Sequence, residues 1–191
     1  MKELIQNLFS IEKVKNILKK IPFLILLFPI ILILYIIIFK GSLSYYEDII
    51  IKSNFEDVIE LHENPSLMKN YMPGLISYDL IKGESRKTGA VAEITVIFNT
   101  NESVSRKIVM NEEVIISNLP NQKIIIYNTG AVKNTISYRF IKMGENKTQF
   151  FRSHEYEFST YKKVSSFFMS KKIKRESYTY LKNFKKFVEN Y

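Results

Sequence analysis

The chain contains no cysteine, and that absence removes disulfide bridges, thiolate metal sites and cysteine nucleophiles together. It fits an oxidising or a reducing compartment equally well. Histidine occurs only at His62 and His154, so no metal centre assembles from recognisable ligand spacing, and no cofactor is expected. Also missing are a nucleophile motif, a glycine-rich phosphate loop, and the aromatic-interleaved basic strand that single-stranded nucleic acid needs. Glycine and proline number only 6 and 5 among 191 residues, and several of them punctuate the chain.

What is present in excess is positive charge and one long apolar run. The formal charge is +9 and the pI about 9.5. Between Ile21 and Phe39 the sequence IPFLILLFPIILILYIIIF holds no charge and nothing more polar than Tyr35. As a helix rising about 1.5 Å per residue it spans roughly 29 Å, the thickness of a bilayer's hydrocarbon core. The expectation is one transmembrane helix over 21–39, which makes the lipid bilayer a partner and anionic lipid the counter-charge, in place of nucleic acid. Its apolar core exceeds the roughly 7 to 15 residues of a cleaved signal, and KGSLSYYED after it offers no A-x-A-like site.

Residues 1–20 form a basic amphipathic lead, with Leu4, Leu8, Ile11, Val14 and Leu18 at helical spacing among five lysines. It is expected to lie in the interface before the chain turns into the membrane. Pro22 suits a first turn, and Pro29 should kink the span. Lys40 and Lys52 are fewer than the five lysines before the run, so the N-terminus is expected inside and the following domain outside the cytoplasm, in a single-pass protein.

Beyond the run the pattern is that of one α+β domain over 45–191. A strand at 45–53 precedes a helix at 54–63, with Asn54 as cap and His62 on its apolar side. A second short helix follows at 65–71. Alternation then predicts strands at 75–82, 89–99, 103–116, 122–130, 134–143 and 147–158, joined by short polar loops as an antiparallel meander. A long helix over 160–190 closes the chain. Nine basic residues against Glu176 and Glu189 place +7 of the total charge on it. Lys171, Lys172, Lys174, Arg175, Lys182, Lys185 and Lys186 are its candidate membrane-facing residues, a solvated helix face being the alternative.

This order resembles the START-like superfamily, also called SRPBCC or Bet v 1-like. The resemblance is carried by NPSLMKNYMPGLISYDLI (64–81), TGAVAEI (88–94), MNEEVIISNLP (110–120), the threonine of NKTQFF (146–151) and LKNFKKFVE (181–189). It implies a helix-grip fold, a seven-stranded antiparallel sheet wrapped around the last helix with a cavity between them. Members include lipid carriers and polyketide cyclase-type enzymes, so the resemblance does not choose a function.

Inside such a grip, Thr148, Phe150, Arg152, His154, Tyr156 and Phe158 would share the inward face of the last strand. Arg152, His154 and Tyr156 are the candidate catalytic or orienting groups, although the same alternation permits a place at the rim. Wall candidates are Ile94, Val96 and Phe98, then Ile126, then Tyr138, Phe140 and Phe150, with Phe167 and Phe184 from the helix. Ala92, Ile124 and Ile136 share those faces. His62 reads as a helix-face residue, and Glu112 and Glu113 as surface acids. The resulting expectation is a membrane-anchored module binding a lipid or other apolar small molecule. The alternatives are a polyketide cyclase or aromatase-like enzyme, and an interaction protein with a filled core.

Overall fold

The computed structural model describes residues 11–39, 41–101 and 104–191, and divides into one unit up to Gly41 and a second, Ser42–Tyr191. The first unit is a single helix, α1 (Ile11–Phe39), whose 29 residues run unbroken past Lys20, Ile21 and Pro29. The second half of the basic lead therefore continues into the apolar run as one helix, instead of ending at an interfacial turn. Residues 1–10 lie outside the described part. Along α1 the apolar side chains that are described stand largely uncovered, with Phe23 65%, Ile25 68% and Phe28 67% exposed. Among the described residues no helix is long and apolar enough to cross a membrane. In α1 the side chains at 11–20 and at positions 22, 24, 26 and 39 lie outside the described residues.

The second unit opens with β1 (Ser42–Ile51), which starts three residues before the predicted strand and ends two before it. Tyr45, Glu47, Ile49 and Ile51 alternate inward, and the residues between them face solvent. Helix α2 (Phe55–Glu63) begins where the Asn54 side chain accepts the Asp57 amide at 2.8 Å, with Glu56 and Asp57 in the first turn complementing the helix dipole. The next segment, Pro65–Asn70, is 3-10 rather than α-helical, with Asn64 accepting the Ser66 amide at 3.1 Å.

Six strands follow: β2 (Leu75–Lys82), β3 (Val91–Asn101), β4 (Val104–Asn118), β5 (Gln122–Asn128), β6 (Val132–Gly144) and β7 (Lys147–Phe158). All neighbours are antiparallel, and the sheet order is β1-β7-β6-β5-β4-β3-β2. The final helix α3 (Thr160–Glu189) grips this sheet. It runs in the direction of β1: Lys174 sits over Tyr45, Ser177 meets Glu47, Lys185 reaches the Ile50 carbonyl and Glu189 the Lys52 amide. This is the seven-stranded helix-grip arrangement expected from the sequence.

Two inward faces differ from expectation. In β5 the buried residues are Lys123 and Ile125, whereas Ile124 and Ile126 are only partly covered and lie on the opposite face. Three consecutive isoleucines carry no alternation of their own, and the register is set by Lys123 opposite Tyr138 and Ile125 opposite Ile136. On α3, Phe167 is 41% exposed and is not a cavity wall. Helix α3 rises about 1.5 Å per residue against roughly 3.3 Å in a strand, so by Phe167 it has reached the start of β1 and runs out of sheet.

Gly74 shows how tightly β2 is joined to β3. Its φ is +77°, its carbonyl accepts the Ile97 amide at 2.8 Å, and a Cβ placed there would lie 2.1 Å from the Ile97 carbonyl oxygen. At Gly89 (φ +83°) a Cβ would meet open space. Gly89→Ala should therefore cost about 1 to 2 kcal/mol for the left-handed backbone alone. Gly74→Ala adds a collision with backbone and should cost clearly more. Chemical denaturation of the two variants side by side checks this, and equal losses would contradict it.

Candidate functional site

The interior of the grip contains two clusters of charged side chains, one around Arg86 and one around Arg152. The larger is built from the β2–β3 loop inward. Arg86 in that loop holds a left-handed backbone (φ +65°) and is 5% exposed. Its Nη1 donates to both carboxylate oxygens of Glu112 at 3.1 Å, and its Nη2 donates to the Tyr138 hydroxyl at 3.3 Å. Tyr127 and Tyr78 donate their hydroxyls to Glu112 at 2.7 and 3.3 Å. Glu63, the last residue of α2, accepts from Tyr138 at 3.1 Å, pairs with Lys123, and lies 3.5 Å from Arg86.

Two cations thus face two carboxylates, and the cluster is electrically closed. Burial opposes the charge on Glu63, but the bond to His62 and the nearby Arg86 and Lys123 hold its carboxyl well below the usual range. Burial and the Arg86 charge push the Lys123 ammonium down to about 8. Burial raises the Tyr127 and Tyr138 hydroxyls well above the ordinary phenol. His62 is sealed within this core, 3% exposed, with Tyr138, Phe140, Phe150 and Phe184 presenting edges to its ring at centroid distances of 4.9 to 5.4 Å.

The second cluster joins β1, β7 and α3. His154 is 3% exposed, and its Nε2 lies 3.0 Å from Glu47 Oε1 and 3.2 Å from Ser177 Oγ, while Ser177 donates to the same Glu47 oxygen at 2.6 Å. Arg152, 7% exposed, has its Nε 3.7 Å from Glu47 and its guanidinium 4.5 Å above the Tyr180 ring. Tyr45 stacks on His154 at 4.7 Å, and Tyr156 stacks on Phe158 at 5.8 Å. Burial and the Arg152 charge push His154 down to about 4, so the ring is neutral near pH 7. Ser177 and Glu47 meet the same ring nitrogen, so the ring cannot relay a proton from one to the other as a hydrolase triad requires.

Three buried polar atoms here have no hydrogen-bond partner: Arg152 Nη1, the Tyr45 hydroxyl and Asn134 Oδ1. This cluster is open at a terminal guanidinium nitrogen; in the first, both terminal nitrogens of Arg86 donate, and its Nε has no partner.

Most of the expected residues come together. Ile94, Val96, Tyr138, Phe140, Phe150 and Phe184 are buried on the concave side, and Arg152, His154 and Tyr156 do line one inward face of β7. The Phe98 side chain lies outside the described residues. Ile126 and Phe167 do not join the interior. Glu112, expected at the surface, is 1% exposed, because Arg86 and two tyrosines supply the partners that make its burial tolerable. Arg86, Glu63, Lys123, Glu47 and Ser177 were not foreseen. Glu47 alone left a signal, as an acid in step with the inward Tyr45, Ile49 and Ile51.

Outside the grip, an open depression of about 550 Å³ lies at the C-terminal end of α3, lined by Lys52, Lys182, Lys185, Lys186, Glu189 and Asn190.

No family model matches the sequence, and no curated protein matches it. Solved structures do. A conserved protein from Geobacillus kaustophilus is 17% identical with a TM-score of 0.62, covering 78% of this chain and 96% of its own. Ara h 8.0201 is 9% identical with a TM-score of 0.58, covering 79% and 100%. Norcoclaurine synthase from Thalictrum flavum, solved in complex with dopamine and hydroxybenzaldehyde, is 14% identical with a TM-score of 0.54, covering 78% and 88%. At such identities the likeness concerns the fold, which is Bet v 1-like.

Both histidines are held neutral well below their ordinary 6.5, His62 pushed down to about 4 by burial as well. The unfolded chain takes up these protons first, so stability should fall as pH drops from about 6.5 toward 4, by on the order of 3 kcal/mol per histidine. Below about 4.5, Glu63 adds to the loss, since its depressed carboxyl stabilises only while ionised. Denaturation of the full chain in detergent at pH 7 and 5 should show this decline, and a His62→Gln, His154→Gln double variant should flatten it. A wild-type stability unchanged over that interval would contradict the assignment.

Proposed function

We propose that the chain is a membrane-tethered binding module whose helix grip holds a lipid or other apolar small molecule. One observation carries the ligand reading. Among the strands, α3 packs extensively only on β1 and β7. There Phe150, Leu181 and Phe184 close the interior completely. Opposite β2, β4 and β5 the concave side keeps Tyr78, Ile108, Met110 and Tyr127 only partly covered. Apolar and tyrosine side chains only half-buried on the inner face of a sheet suit a ligand that completes their burial.

The anchor reading rests on the uncharged residues 21–39 within one continuous helix and on the exposure of its apolar side chains. Lysine bias puts the N-terminus inside and the domain outside the cytoplasm. The chain enters the domain at Ser42, which pairs with Glu157 just before α3 begins. Lys171, Lys172, Lys174 and Arg175 therefore lie toward the end of the domain where an anchor would hold it, together with the exposed Phe168 and Tyr161. Lys182, Lys185 and Lys186 lie toward the other end, beside Lys52. We assign contact with anionic lipid to the first group.

An enzyme of the polyketide cyclase type is less well supported. Its acid would have to be His154, which is neutral near pH 7 and already engaged with Glu47 and Ser177.

Native mass spectrometry of the full chain released from detergent should show a one-to-one apolar adduct. Met110→Trp, which fills the uncovered side, should remove the adduct while leaving the fold intact by circular dichroism. An empty wild-type protein, or an adduct indifferent to Met110→Trp, would contradict the reading. For the anchor, the full chain expressed in bacterial cells should stay with membranes through alkaline carbonate extraction, and release into the supernatant would exclude a spanning helix.

A further inference from the structure

We infer that the open cluster around Arg152 is a head-group site for the carboxylate of a monoanionic amphiphile, its tail directed to the uncovered side of the grip. This inference rests on the binding reading above and specifies its ligand. Arg152 is more than nine-tenths buried, and its guanidinium is held on two sides, by the Tyr180 face at 4.5 Å and by Glu47 at 3.7 Å. One terminal nitrogen, Nη1, is a buried charged donor with no acceptor. Leaving such a donor unsatisfied is costly, and its natural complement is an anionic oxygen.

The neighbouring groups narrow the chemistry. The Tyr45 hydroxyl lies beside Ser177 and Tyr156 yet meets no partner in hydrogen-bonding geometry, so a second donor is available. Charge counts against a dianion. Glu47 neutralises Arg152, His154 is neutral, and only Lys174, 5.4 Å from the Tyr45 ring centre, adds a positive charge at the rim. One negative charge balances the site and two would overload it, with Glu47 already present. Asn134 Oδ1, an acceptor without a donor, favours a ligand that also carries a hydroxyl or amide near its acid.

Position favours an amphiphile over a small soluble acid. Tyr45 and Glu47 are the fourth and sixth residues of β1, which begins at the end of the domain where the chain arrives from α1. From that end the rings of Phe158, Tyr156 and His154 follow one another at 5.8 and 6.0 Å, an apolar approach to the head-group site that suits an alkyl chain better than a small soluble acid.

The test uses the full chain in nanodiscs of neutral phospholipid, titrated with carboxyl-labelled palmitate, methyl palmitate, hexadecyl phosphate and acetate, and read by the carbon-13 carboxyl resonance and by competition. Palmitate should bind at least tenfold more tightly than its methyl ester or hexadecyl phosphate, and acetate should not bind. Arg152→Gln should abolish the preference for acid over ester. Tyr45→Phe, which removes a hydroxyl that has no partner to lose, should weaken palmitate several-fold at unchanged stability. If wild type binds acid and ester alike and Met110→Trp displaces both, the head-group assignment falls while the interior site stands. A preference for hexadecyl phosphate overturns the monoanion assignment. If neither palmitate nor its ester binds, both the head-group site and the apolar-ligand reading are overturned.

Discussion

Much of the sheet depends on matching four charges, three of them buried and the fourth, Glu63, half-buried. Arg86 and Lys123 face Glu63 and Glu112, and through them the β2–β3 loop, the end of α2 and strands β4, β5 and β6 are tied to one point. Removing one member leaves a buried charge without its opposite, which typically costs about 3 to 5 kcal/mol. The arrangement is weak as a source of net stability, because desolvation offsets much of the attraction, but it discriminates sharply among registers. A one-residue slip of β5 would carry Lys123 to the outer face and leave Glu63 with fewer partners. The left-handed backbone at Arg86 is the local strain that this matching sustains.

The second cluster obeys the same rule and stops short of completing it. Glu47 meets His154, Ser177 and Arg152 through one oxygen, Oε1, while Arg152 Nη1 has no acceptor. In the first cluster both terminal nitrogens of Arg86 donate, while its Nε likewise has no partner.

How far the residues foretold this varies with the kind of interaction. The seven strands, α2 and α3 were legible because apolar periods of two and 3.6 report which side of an element is buried. The inward face of β7 was legible for the same reason, and with it Arg152, His154 and Tyr156. Periodicity assigns charged residues outward, so Lys123 and Glu112 were hidden: each is buried only because a partner far along the chain meets it. Arg86 was less visible still, lying in a loop that has no period. Phe167 fails for a geometric reason, since its helical spacing is correct and only the shorter reach of β1 leaves it without a wall.

The two halves of α3 consequently do different work. From Ser177 to Val188 the helix closes the interior through Leu181, Phe184 and Val188, with Ser177 and Tyr180 reaching into the polar clusters. Before Ser177, Ser166 is its only buried residue among those described, and Tyr161, Phe167, Phe168 and Met169 stand exposed beside lysines. A helix stabilised by one half alone would be expected to fray in the other, because isolated helices of such length are marginal in water. Apolar residues in that uncovered half, at the end of the domain where the chain enters it, are better accounted for by a surface that covers them than by solvent.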